Sequence, residues 1–165
     1  MAFTPWAAGQ RIEADRLAAM TPIWAAWTPT WSTSSGSATP SYGNATVDCK
    51  YAQSADTVFF EMEITFGTTT NFGGGGSSDN WRFSLPVTAA ETALIAGMGE
   101  IQDGTATERW PIRARITTTS VFEVELSGRN YNNTANVSSG LIDATTPFTW
   151  ASTDRILLHG HYQAA

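Results

Sequence analysis

Several stretches of this chain alternate apolar and polar residues with a period of two, and that alternation commits most of the sequence to half-buried strands. Between 58 and 66, Phe60, Met62, Ile64 and Phe66 fall on one face, and Phe59, Glu61, Glu63 and Thr65 on the other. Trp81, Phe83 and Leu85 alternate with Arg82 and Ser84; Pro86, with no N–H to donate to a ladder, closes that run. Trp110, Ile112, Ala114 and Ile116 oppose Arg113 and Arg115, and Phe122, Val124 and Leu126 oppose Glu123 and Glu125. A last strand from 154 to 162 sets Ile156, Leu158, Gly160 and Tyr162 against Arg155, Leu157, His159 and His161.

Two of these runs predict their own pairing. A three-residue loop, Thr118-Thr119-Ser120, sets Ile116 opposite Phe122 and Ala114 opposite Val124 on the core face. It also sets Arg115 opposite Glu123 and Arg113 opposite Glu125 on the other. A two-residue loop at the same place would slip every side chain to the wrong face. Each charge pair is worth roughly 0.2–1 kcal/mol, enough to bias register. Short strands separated by Gly, Asn and Thr turns predict a mainly β fold, an antiparallel jelly-roll-like sandwich over residues 27–165. Residues 73–78, Gly-Gly-Gly-Gly-Ser-Ser, read as a flexible connection between strands.

Residues 1–26 read differently. From Gln10 to Met20 the chain is rich in helix formers, bounded upstream by Pro5 and Gly9 and stopped by Thr21-Pro22. About eleven residues make a helix too short to be stable alone, so this one must pack on something. Four tryptophans, Trp6, Trp24, Trp27 and Trp31, crowd into this front end and the start of the β text. At about 25 cal/mol per Å2 and roughly 200 Å2 each, leaving several in water would forgo many kcal/mol as an upper bound. They dock either on the chain's own β domain or on another molecule. Residues 1–26 are therefore expected to be an anchor and linker, with Trp6, Ile12, Leu17, Met20, Trp24, Trp27 and Trp31 as candidate interface residues.

Composition narrows the partners. Charged residues are 15% of the chain and the net charge is −6. The usual charged share is about 25%. A surface so poor in charge suits a protein that buries area against other subunits. No basic run exists for a phosphate backbone, which argues against nucleic acid. No apolar run approaches the ~20 residues of a membrane span, and the N-terminus lacks a secretion signal. Cys49, the single cysteine, excludes an intrachain disulfide and reads as a small buried residue.

The motifs of catalysis are missing from the sequence: no Gly-x-Ser-x-Gly elbow, no phosphate-binding loop and no dinucleotide fingerprint. Glu61/Glu63 and Glu123/Glu125 read as solvated strand faces rather than a glycosidase pair, which must face each other across a cleft. His159-Gly160-His161 places two imidazoles on one strand face, a weak metal candidate that lacks a third ligand. No enzyme activity and no cofactor are expected.

Certain fragments, in this order, carry a family resemblance. They are Trp27-Thr-Pro-Thr-Trp31, Gly43-Asn44 with Tyr51, Phe66-Gly-Thr-Thr-Thr70 with Phe72-Gly73, and Trp81-Arg-Phe-Ser-Leu-Pro86. Pro147-Phe-Thr-Trp-Ala151 with Asp154, Leu157 and Tyr162 follow. Residues 27–165 resemble a β domain of tail-associated and other virion proteins of phages infecting Actinobacteria. Trp6 to Met20 is similar to the anchoring segment that opens many phage fibre and head-attached proteins. The resemblance implies a homotrimeric component of the particle surface, held by its front end to major capsid or tail proteins. It leaves capsid decoration, head fibre and small tail subunit open, and beside them a module binding receptor or host surface glycan. It implies no catalytic residues.

Overall fold

The computed structural model describes residues 7–11, 13–36, 39–74, 79–106, 108–128 and 140–165, with the backbone alone for Arg16 and Ala19. Trp6, Ile12 and part of the glycine-serine connection lie outside the described residues. A seven-residue helical stretch, Ala14–Met20, precedes the strands. Its last turn is closed by Thr21, whose N–H donates to the Ala18 carbonyl and whose hydroxyl donates to that of Leu17.

The strands are β1 (Ala25–Ala26), β2 (Trp31–Thr33), β3 (Thr46–Ser54), β4 (Thr57–Thr65) and β5 (Trp81–Ser84). They continue with β6 (Ile95–Gln102), β7 (Arg109–Thr118), β8 (Val121–Leu126) and β9 (Arg155–Gln163). All nine belong to one antiparallel sheet, in the order β1-β3-β4-β9-β6-β7-β8-β5-β2. The pairing thus does not divide into the two sheets of the expected sandwich. A single sheet curls into a half-barrel and packs its concave face on itself.

The curl can be measured from ring contacts. Phe60 on β4 and Phe122 on β8 lie four strands apart in the ladder, which is about 19 Å on a flat sheet. Their rings are 5.9 Å apart. The two ends of the sheet are also bridged by one short stretch of chain. The Trp27 N–H donates to the Cys49 carbonyl on β3, and three residues later the Thr30 carbonyl accepts the Ser84 N–H on β5. No flat sheet permits both bonds.

Glycines make the bend possible. A side chain on Gly99 of β6 would put its Cβ 1.9 Å from the Leu157 carbonyl oxygen of β9, and one on Gly160 would lie 2.0 Å from that of Ala96. Gly97 and Gly160 are register partners beside a bulge in β6, with the Phe60 ring close above Gly97. Backbone at this corner approaches backbone more closely than any Cβ allows.

Alternation places the core as read from the sequence. Phe60, Met62, Ile64, Trp81, Phe83, Ile112, Ala114, Ile116, Phe122, Val124, Ile156 and Leu158 are all buried. The hairpin of β7 and β8 has the expected register: Ile116 faces Phe122, Ala114 faces Val124, Arg115 faces Glu123 and Arg113 faces Glu125. Its connection differs. The ladder runs on to Thr118 and Val121, and the extra residue is absorbed by an irregularity between Ile116 and Thr118. The charges also pair differently. Arg113 and Arg115 both bind Glu125, while Glu123 is bound by Arg82 of β5 at 2.7 Å.

One end of the half-barrel is filled with aromatic rings. Trp31 packs edge-on to Trp81 at 4.7 Å and stacks on Phe66 at 5.5 Å; Trp150 closes on Trp81 at 4.8 Å. Asn44 locks the neighbouring loops: its Oδ1 accepts the Thr69 N–H at 2.8 Å and hydroxyl at 2.9 Å, and its Nδ2 donates to the Thr68 hydroxyl. The backbone turns into this lock at Gly43, whose φ of +56° most side chains avoid.

Candidate functional site

On the convex face, strand pairing assembles side chains that are distant in sequence. Reading across the ladder, one row runs Lys50, Glu61, His159, Met98, Arg113, Glu125. The next runs Asp48, Glu63, Leu157, Glu100, Pro111. Between these rows lies an open groove of about 500 Å3, lined by Asp48, Lys50, Glu61, Glu63, Glu100, Leu157 and His159 among others.

Most of the groove's carboxylates are held. Lys50 binds Glu61 at 2.9 Å, Arg155 binds Glu63 at 3.4 Å and Arg109 reaches Glu100 at 3.7 Å. Asp48 sits directly opposite Glu63 and makes no ion pair among the described residues. The groove is a charged, water-facing surface suited to polar or cationic groups of a ligand or partner. The carboxyl group that burial pushes upward is elsewhere. Asp154 is buried, and its two oxygens accept the N–H groups of Gly104 and Ala151, which makes it a loop clasp. Cys49 is buried, as expected from the sequence, and burial pushes its thiol up to about 12. A thiol so protonated is a poor nucleophile.

His159 and His161 both point outward from β9 and are exposed. Glu61 is the register partner of His159, and Phe59 packs beside His161 with centroids 6.2 Å apart. Among the described residues no three His, Cys, Asp or Glu side chains come together as a metal ion requires.

The candidate anchor residues divide into two groups. Leu17 and Trp24 are exposed, and Met20 is half-buried, with its carbonyl accepting the Ser54 hydroxyl at 3.0 Å. Lys50 lies 5.7 Å from the centre of the Trp24 ring, linking the front segment to the groove. Trp31, by contrast, is a core residue, and Trp27 is half-buried edge-on to Phe60 at 6.2 Å. Trp31 therefore presents no surface to a partner, while Trp27 keeps part of its ring in water. The parity of β2 turns Trp31 inward with its partner Phe83, so the chain's own domain buries these two rings. The sheet also starts at Ala25, just before the boundary at Trp27 read from the sequence.

Sequence reading missed Asp48, Lys50 and Glu100 as members of the groove. Asp48 and Lys50 come beside Glu63 and Glu61 through the β3–β4 hairpin, whereas Glu100 joins them only because β9 inserts between β4 and β6, an order no local pattern reveals. Comparison with family models, with curated proteins and with solved structures found no match.

Proposed function

We propose that this chain is a non-catalytic structural subunit on the surface of a tailed bacteriophage particle, self-associating and held by its front segment. The observation that carries this reading is the contrast between the front segment and the domain behind it. Ile23 is 74% exposed and Trp24 47% exposed, with Leu17 nearby also in water. Trp31, Trp81, Trp110 and Trp150 are each 5% exposed or less. A domain that buries these aromatics, preceded by a segment that leaves Leu17, Ile23 and Trp24 outside, is built to hand that segment to something larger. The helical stretch Ala14–Met20 belongs to this handle. The sequence resemblance supplies the kind of assembly, a trimeric capsid decoration, head fibre or small tail protein.

Removing residues 1–24 tests the reading, because it takes away Leu17, Ile23 and Trp24 while β1 and every later strand remain. The truncated chain is expected to stay folded and to lose attachment to particles lacking the native subunit, as seen by electron microscopy. Full-length protein that decorates no such particle, or truncated protein that still does, refutes it.

A second reading has one observation in its favour. The groove of Asp48, Glu61, Glu63 and His159 presents hydrogen-bonding groups beside the exposed rings of Trp24 and Phe59, a composition that suits a host surface glycan.

A further inference from the structure

The convex face is divided by charge. On β3, β4 and β6, the carboxylates Asp48, Glu61, Glu63 and Glu100 outnumber the cations of that side, Lys50 and Arg155. On β5 and β7, Arg82, Arg109, Arg113 and Arg115 outnumber the carboxylates of that side, Glu123 and Glu125 of β8, and Arg109 reaches across to Glu100 at 3.7 Å. The excess is visible in the pairing: two guanidinium groups share the single carboxylate of Glu125, while Asp48 faces Glu63 and has no ion-pair partner among the described residues. Along the line between the two halves stand exposed apolar side chains, Met98 at 63% and Ile95 at 46%.

We propose that this face is a contact between copies of the chain, with the acidic strip of one copy set against the arginine strip of the next. Each strip is the complement of the other, and both lie on one face beside the same apolar line. A second copy therefore satisfies both charges and covers Met98. Like strips repel, so the charges fix the orientation as well as the partner. The contact rests on the self-associating part of the function proposed above. It does not depend on particle attachment, which the truncation tests separately.

The experiment is sedimentation velocity on the full chain at ~50 mM and ~500 mM salt, together with two charge-reversed variants. One carries Glu61→Arg and Glu63→Arg, the other Arg109→Glu and Arg113→Glu. The wild type is expected to associate at low salt and dissociate at high salt, as exposed charges are screened. Each variant alone is expected to sediment as a monomer with wild-type circular dichroism. Mixed in equal amounts they are expected to associate again, because the reversed acidic strip of one faces the reversed arginine strip of the other, and the two unreversed strips face each other likewise. Met98→Glu, at an exposed position, is expected to weaken association at least tenfold without changing the fold. A wild type monomeric at both salts overturns the proposal, as does a mixture that remains monomeric while each variant is folded.

Discussion

Replacing Gly99 with alanine adds one carbon at the tightest point of the fold. That carbon would lie 1.9 Å from the Leu157 carbonyl oxygen, 2.8 Å from its carbonyl carbon and 2.8 Å from the Leu158 Cα. All three are backbone atoms, so no side chain can rotate away. Ordinary contact begins near 3.4 Å, so β6 must retreat locally from β9 until the 1.9 Å approach has opened to that distance. Such a shift is enough to break the hydrogen bonds that flank the site. Losing two or three at ~1 kcal/mol each, on top of the usual overpacking cost of about 1–3 kcal/mol, gives a destabilisation of about 3–6 kcal/mol. That is a large part of the stability of a domain this size. Gly74→Ala, where a Cβ meets nothing within 4 Å, is the control and should change stability by less than about 0.5 kcal/mol. Urea unfolding followed by tryptophan fluorescence gives the midpoint and slope for both. A Gly99→Ala protein as stable as Gly74→Ala would show that close backbone approach does not hold the corner.

Three further substitutions separate structure from surface. Asn44→Ala removes the acceptor of the Thr69 N–H and hydroxyl and should cost about 1–2 kcal/mol by urea unfolding, the lock being solvent-exposed. Trp31→Ala should cost about 3–5 kcal/mol or abolish folding, whereas Trp24→Ala should cost under about 1 kcal/mol; calorimetry of the two distinguishes core from handle. Burial raises the Glu125 carboxyl's pKa, but hydrogen bonds from Arg115 and Arg113 outweigh it and hold the group below its usual value. Its folded form therefore binds fewer protons than the unfolded chain, and its contribution is present above the ordinary glutamate range and lost as pH falls through the lowered value. The stability gap between wild type and Glu125→Gln should shrink between pH 7 and pH 3, and a gap independent of pH would refute the ion-pair account.

Where one strand face is buried, the pattern is local and legible. Phe60, Met62 and Ile64 declare the inner face of β4 without reference to any other strand, and the hairpin register follows from matching two such faces. β6 was illegible for the opposite reason. Gly97 and Gly99 stand where inward apolar residues would have marked it, because the bend needs no side chain there. One sheet or two was equally hidden: that choice is made by how sharply β6 and β9 close at Gly97 and Gly160, a property of a pair far apart in the chain. The fragments that carried the family resemblance turn out to be neighbours. Gly43-Asn44 meets Thr68 and Thr69, and Phe66 meets Trp31, Trp81 and Trp150. They mark the scaffold rather than a site, and the groove on the convex face falls largely outside them.

The bridge from Trp27 to Thr30 has a mechanical consequence. The exposed front segment joins the sheet at β1, held to β3 by only two register pairs, and β2, three paired residues against β5, follows within a few residues. A pull on that segment is therefore delivered first to the short stretch that ties the two ends of the sheet together. The long ladders among β4, β9, β6 and β7 lie behind it. Load would release that tie before straining the rest, so the subunit would yield by uncurling at its rim while its central strands stay paired.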